Sequence, residues 1–84
     1  MEKFNLEVIT PEGRIFEGNV DVVSIKGIEG RMNILKDHTP LISELSPGAI
    51  EFKADGEMKV IDVSGGFIHV APHKVIIIAF TIFL

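Results

Sequence analysis

The sequence predicts an all-β fold, a flattened β-sandwich of short, mostly antiparallel strands. Runs rich in Val, Ile and Phe alternate with polar residues, and Gly, Pro and Asp-Gly turns cut them at short intervals. No stretch carries apolar residues at i, i+3, i+4 and i+7 over three turns, and β-branched residues stand where helix formers would be needed. The 84 residues make one domain, 1–84. A chain of this size buries roughly 60% of the surface its unfolded form exposes, so the core is thin.

Phe4, Leu6 and Val8 alternate with Asn5 and Glu7, the period-2 pattern of a half-buried strand, and Thr10-Pro11-Glu12-Gly13 ends it in a turn. Between Arg14 and Lys26, Ile15, Val20, Val22, Val23 and Ile25 give two strands, with Gly18 marking a bulge or a break. Gly27 to Gly30 is a reversal and Arg31 to Leu35 a short strand, with Met32, Ile34 and Leu35 as anchors to the core. Lys36-Asp37-His38-Thr39 turns the chain into Pro40 to Leu45, and Ser46-Pro47-Gly48 turns it again. Ile50 and Phe52 start the plainest hairpin, closed by Asp55-Gly56, with Met58 to Val63 as its return strand. Ser64-Gly65-Gly66 marks a bulge or a close backbone approach. Phe67 to Val70 is a strand, Ala71-Pro72-His73-Lys74 a turn, and Val75 to Phe80 a strand apolar on both faces. The ten-residue apolar tail from Val75 to Leu84, broken only by Thr81, is expected to be a buried central strand.

Composition removes several function classes. Cysteine is absent, which excludes disulfides, thiolate zinc sites and a thiol nucleophile. The N-terminus shows no signal-peptide pattern, which suggests a reducing compartment. Eight basic and twelve acidic residues give a formal net charge of −4, and Trp and Tyr are absent, so nucleic acid is not an expected partner. The apolar tail is about half the roughly 20 residues of a membrane-spanning helix.

The chemistry-bearing residues are few. His69 and His73 have the spacing of a helical metal pair, but Pro72 and the strand pattern argue against that helix, and no metal site is assigned. His38 could act as a general base only if a nucleophile approached it in space. Ser64 lies in V-S-G-G, not in a nucleophile elbow, and Asp37, His38 and Thr39 are better read as caps of a turn. Neither glycine-rich segment resembles a phosphate cradle, since no Gly-Lys-Ser/Thr follows. No catalytic residue and no cofactor are assigned. Glu57-Met58-Lys59-Val60 faintly resembles the Met-Lys-Met hairpin of biotin or lipoyl carrier domains. Asp55-Gly56 takes the turn where the carrier lysine belongs, so a carrier modified at Lys59 is the alternative reading.

Five motifs in order carry a family resemblance: L-E-V-I-T-P-E-G from Leu6 to Gly13, G-x-E-G from Gly27 to Gly30, I-L-x-x-H-x-P-L from Ile34 to Leu41, L-x-P-G from Leu45 to Gly48, and V-S-G-G-F from Val63 to Phe67. Together they resemble the N-terminal β-sandwich of the F-type ATP synthase epsilon subunit, from about Phe4 to Ile78. The resemblance implies a non-catalytic central-stalk component of a peripheral complex on the cytoplasmic face of a bacterial membrane, or on the equivalent face in an organelle. Such a component packs on the gamma subunit and seats it on the ring of c subunits, coupling ion-driven rotation to ATP synthesis.

Carried over by position, Glu29, Gly30, Arg31 and Met32 match the loop that faces the c ring. His38, Thr39, Pro40, Leu41, Ile42 and Ser43 match the region near gamma and the ring, and the two segments are expected to form one docking end. Arg31 stands where family members often carry an acid, and Lys36-Asp37 where they commonly carry Pro-Gly. The sequence stops at Phe80-Thr81-Ile82-Phe83-Leu84, where the family continues into a C-terminal helical hairpin. The hairpin is therefore expected to be absent, and with it the inhibition of hydrolysis and the ATP binding that the resemblance assigns to it.

Overall fold

The computed structural model describes residues 2–83. Ten strands follow one another along the chain: β1 (Phe4–Thr10), β2 (Gly13–Val20), β3 (Val23–Gly27), β4 (Gly30–Ile34), β5 (Leu41–Leu45), β6 (Gly48–Ala54), β7 (Glu57–Val63), β8 (Gly66–Ala71), β9 (Lys74–Ala79) and β10 (Ile82–Phe83). Among the described residues there is no helix.

The strands form one curled sheet in the order β10-β7-β6-β3-β5-β8-β9-β1-β2, with β4 paired to β3. The ladder is thinnest between β3 and β5, which share the single pair Gly27 and Leu45. There the sheet folds over into two layers, one of β10, β7, β6, β3 and β4, the other of β5, β8, β9, β1 and β2. Phe16 of β2, the last strand of one layer, meets Phe52 of β6 in the other with ring centroids 4.6 Å apart, so the two layers are in contact there. The expected β-sandwich is observed, with β1 and β9 as its parallel pair.

Period-2 alternation builds the core. Leu6, Val8, Val20, Val23, Ile25, Ile34, Ile68 and Ile77 are fully enclosed. Each contributes roughly 1.5–3 kcal/mol by leaving water. Turn chemistry agrees with the backbone. Asp55 and Gly56 both take positive φ, 53° and 78°, as a hairpin turn matching the strand twist requires. Gly66, at φ 150°, lies so close to β9 that a side chain would run into the Ile78 carbonyl and the Ala79 Cα, and the expected close approach is therefore real.

Four expectations change. Gly18 neither bulges nor breaks β2, because it pairs with Leu6 in register; the shift falls between Val8 and Ile9, and the partner residues Phe16 and Arg14 show Ile15 to be the extra one. Glu7 is buried rather than on a wet face, since β1 lies between β2 and β9 and receives a cation from each side. Arg14 Nε sits 2.6 Å and Lys74 Nζ 3.4 Å from its carboxylate. Leu35 is not an anchor but is about half exposed, whereas Ile34 is enclosed. The apolar tail is two strands: β9 is central, the chain breaks at Phe80 and Thr81, and β10 pairs with β7 at the sheet edge. Ile78 and Phe80 are exposed. Leu84 lies outside the described residues.

Candidate functional site

Two segments hold the residues singled out from the sequence. In the first, β3 and β4 form a hairpin whose turn is Ile28 and Glu29, closed by the pair Gly27 and Gly30. Gly30 has φ 127°, a conformation that a Cβ would disfavour. Ile28 and Glu29 are exposed at the tip, and Met32 packs partly against the core. Arg31 lies directly across the ladder from Lys26, so both cations project from the same outward face. The Arg31 guanidinium reaches over β3 to Glu51 of β6 at 3.5 Å. The turn end of the hairpin is tied to the end of β5, where the Ile28 N–H donates to the Glu44 carbonyl at 3.3 Å and the Ser46 N–H to the Lys26 carbonyl at 2.9 Å.

The second segment carries the chain from one layer to the other. The His38 N–H donates to the Leu35 carbonyl at 3.2 Å, closing the turn, and Asp37 occupies it at φ 62°. A left-handed residue is what glycine would supply, so the departure Lys36-Asp37 keeps the geometry of a Pro-Gly turn with an aspartate in the glycine's place. Three contacts hold the turn down. The Asp37 N–H donates to the Pro72 carbonyl at 3.1 Å, Lys36 Nζ donates to Glu2 Oε2 at 3.0 Å, and His73 Nδ1 lies 3.9 Å from Asp37 Oδ1. The Lys36 ammonium, by this hydrogen bond and by its charge, holds the Glu2 carboxyl below the usual carboxylate range, and Glu2 in turn raises Lys36. His38 Nδ1 lies 2.8 Å from the Thr39 carbonyl oxygen. Since a carbonyl only accepts, Nδ1 carries the proton and this nitrogen is not free to act as a base.

Beyond the turn, Leu41 and Ser43 are half-buried while Ile42 is 74% exposed. Pro40, Leu41, Ile42, His69 and Val70 line a shallow hollow of about 370 Å³. Ile42 pairs with His69, and Glu44 with Phe67. Phe67 in turn pairs with Ile78 and stacks edge-on against Phe80, with centroids 5.7 Å apart. Phe67, Ile78 and Phe80 thus form an exposed apolar patch, and Ile42 stands exposed on the same face beside His69 and Glu44.

The expected single docking end is not observed. Gly27 pairs with Leu45, so the hairpin tip lies at the β5 end where Leu45 sits, and Leu41 with the His38 turn lies at the other, roughly 13 Å away at the rise of a strand. Ser43 lies near Gly27, at the turn end of the hairpin. Glu51 and the Phe67, Ile78 and Phe80 patch were missed in the sequence. The one signal for the patch was a strand apolar on both faces. Lys59 lies within β7, paired with Phe52 and three residues past the turn, not at a turn as in a carrier domain. Among the described residues, no three His, Asp or Glu side chains converge to hold a metal.

Comparisons with known proteins agree with this architecture. The family described as "ATP synthase, Delta/Epsilon chain, beta-sandwich domain" matches residues 3–84. The ATP synthase epsilon chain of Halalkalibacterium halodurans is 42% identical over 79 residues, covering 94% of this chain and 59% of that protein. The epsilon chain of Bacillus subtilis is 34% identical, again over 94% of this chain and 60% of its own length. The chain thus spans about three fifths of the curated relatives it matches. Among solved structures, a chain of the OSCP/F1/c-ring assembly of the Euglena gracilis mitochondrial ATP synthase superposes with a TM-score of 0.90 at 26% identity, over 96% of this chain and 52% of that one. A chain from the Tetrahymena thermophila mitochondrial ATP synthase shares the fold, with a TM-score of 0.80 at 17% identity, over 98% of this chain and 66% of that one. By sequence over nearly its whole length, and by fold, this chain belongs to the family of ATP synthase delta/epsilon chain β-sandwich domains.

Proposed function

We propose that the chain is a central-stalk component of an F-type ATP synthase, which binds the gamma subunit and docks it on the ring of c subunits. It catalyses nothing itself and works in a peripheral complex on the cytoplasmic face of a bacterial membrane. The observation that carries this reading is the 42% identity to an ATP synthase epsilon chain over 94% of the sequence. The Euglena chain of like fold comes from an assembly that includes a c ring, which supports a ring-side position.

We assign the contacts to two surfaces. The hairpin residues Glu29, Gly30, Arg31 and Met32 face the ring, where charged side chains at an exposed tip suit polar loops. The segment His38, Thr39, Pro40, Leu41, Ile42 and Ser43 faces gamma, with the ring within reach of Ser43. Its exposed Ile42 and the adjoining Phe67, Ile78 and Phe80 supply the apolar anchors that a stable interface needs.

The test is complex formation. The purified chain should co-elute with gamma on size exclusion and be retained by the isolated c ring. Elution of the chain alone in both experiments overturns the proposal.

A further inference from the structure

The Arg31 and Glu51 pair bears on how the hairpin would take its partner. Lys26 and Arg31 face each other on the outward side of the β3 and β4 ladder, a cationic rung that suits an acidic partner. Glu51 stands on the neighbouring rung, paired with Ser24, which itself donates to Asn33. The carboxylate thus reaches diagonally across β3 to Arg31 at 3.5 Å, while the two side chains stay 57% and 39% exposed. Exposed pairs of this kind are weak and easily exchanged. Their anchorage differs, because Glu51 lies mid-sheet between β3 and β7, whereas Arg31 lies one residue from a turn on a strand whose ladder partner is β3 alone. The cation is the less firmly anchored member.

We infer that Glu51 is the internal counter-ion for which a docking partner substitutes: on binding, Arg31 leaves Glu51 for a carboxylate on the partner's loop. This rests on the reading of the hairpin as the ring-facing surface. Glu51 therefore sets how strongly, and for how acidic a partner, the hairpin binds, without touching that partner.

The experiment measures affinity for the isolated c ring at low salt and at 1 M salt. Glu51→Gln removes the competitor and should tighten binding up to about five-fold at low salt, the upper range of an exposed pair converted at tenfold per 1.4 kcal/mol. The gain should vanish at about 1 M salt, where screening acts over roughly 3 Å. It should also vanish in an Arg31→Gln background. Asp62→Asn, on β7 of the same layer, changes net charge equally and should leave affinity unaltered. If Glu51→Gln weakens or does not change binding, or if Asp62→Asn tightens it equally, the counter-ion role is overturned while the ring-facing reading stands. If Arg31→Gln alone leaves wild-type affinity intact, the ring-facing reading of Arg31 itself is overturned.

Discussion

The β3 and β4 hairpin and the Leu35 to Pro40 turn leave the same short strand in opposite directions, and they are held by different means. Beyond its own ladder, the hairpin is held through β3, which pairs with β6 and, at Gly27, with β5, while its β4 arm is held across the face by one exposed ion pair. The turn is tied across the molecule, through the Pro72 carbonyl, Glu2 and His73. Exposed side chains on an outer strand can rearrange their charges on a partner at little cost, whereas a turn tied at several points presents a fixed shape. Electrostatic contacts suit the first and apolar anchors the second. Between them stands Ile34, the enclosed side chain at the end of β4.

The largest expected effect comes from removing that shared anchor. Ile34→Ala should cost about 2–5 kcal/mol, the range for truncating an enclosed aliphatic side chain that leaves a cavity. Its neighbour Leu35, about half exposed, should cost well under half as much on truncation. Urea unfolding of both variants checks the contrast. Equal losses would mean that Ile34 does not join the two segments to the core.

What could be read from the sequence follows from locality. Asp55-Gly56 and Ser64-Gly65-Gly66 were legible because the need for positive φ or for a missing Cβ is written in the residues themselves. The alternation of Phe4, Leu6 and Val8 was legible for the same reason. Glu7 was not, because its burial depends on Arg14 and Lys74, and only the pairing of β1 with β2 and β9 brings those cations to it. Gly18 attracted the bulge because glycine often marks one, while the actual extra residue, Ile15, carries no such mark. The separation of the two candidate surfaces depends on the register of Gly27 against Leu45, a non-local fact. Glu51 as the partner of Arg31 was hidden likewise, since 20 residues separate them.

A smaller effect should sharpen the view of the turn as a fixed shape. A non-glycine residue in the left-handed region costs about 1–2 kcal/mol, less for Asp or Asn. Asp37→Gly removes that strain but adds backbone freedom to the unfolded chain, worth about 0.5–1 kcal/mol in the other direction. It also removes the 3.9 Å approach to His73, in which both side chains are more than 60% exposed and which contributes little. The expected net gain is up to about 1 kcal/mol, or roughly 4–8 °C in melting temperature for a domain of this size. Asp37→Ala, which keeps the positive φ in a residue that tolerates it less well than aspartate, should instead lower the melting temperature. Two variants that melt alike would show that the turn relaxes around residue 37 and is not a fixed shape.

The smallest effect lies in the Glu2 and Lys36 tie. Glu2 is held below its ordinary 4.5 by the Lys36 hydrogen bond and then by its charge, so its contribution to stability is present above 4.5 and is lost as pH falls through the lower folded value. Lys36 is raised above 10.5 by the same hydrogen bond and charge, so its contribution is present below 10.5 and is lost as pH rises through the higher folded value. Both groups place the tie in the wide window between acid and strong base. Glu2→Gln should therefore unfold at slightly lower urea than the parent chain at neutral pH and low salt, and the difference should close in acid. Because the two chains differ at this one side chain, the difference between their midpoints isolates the one pair. A gap that persists unchanged at about pH 2, where carboxylates are protonated, would mean that Glu2 holds the turn by packing rather than by charge.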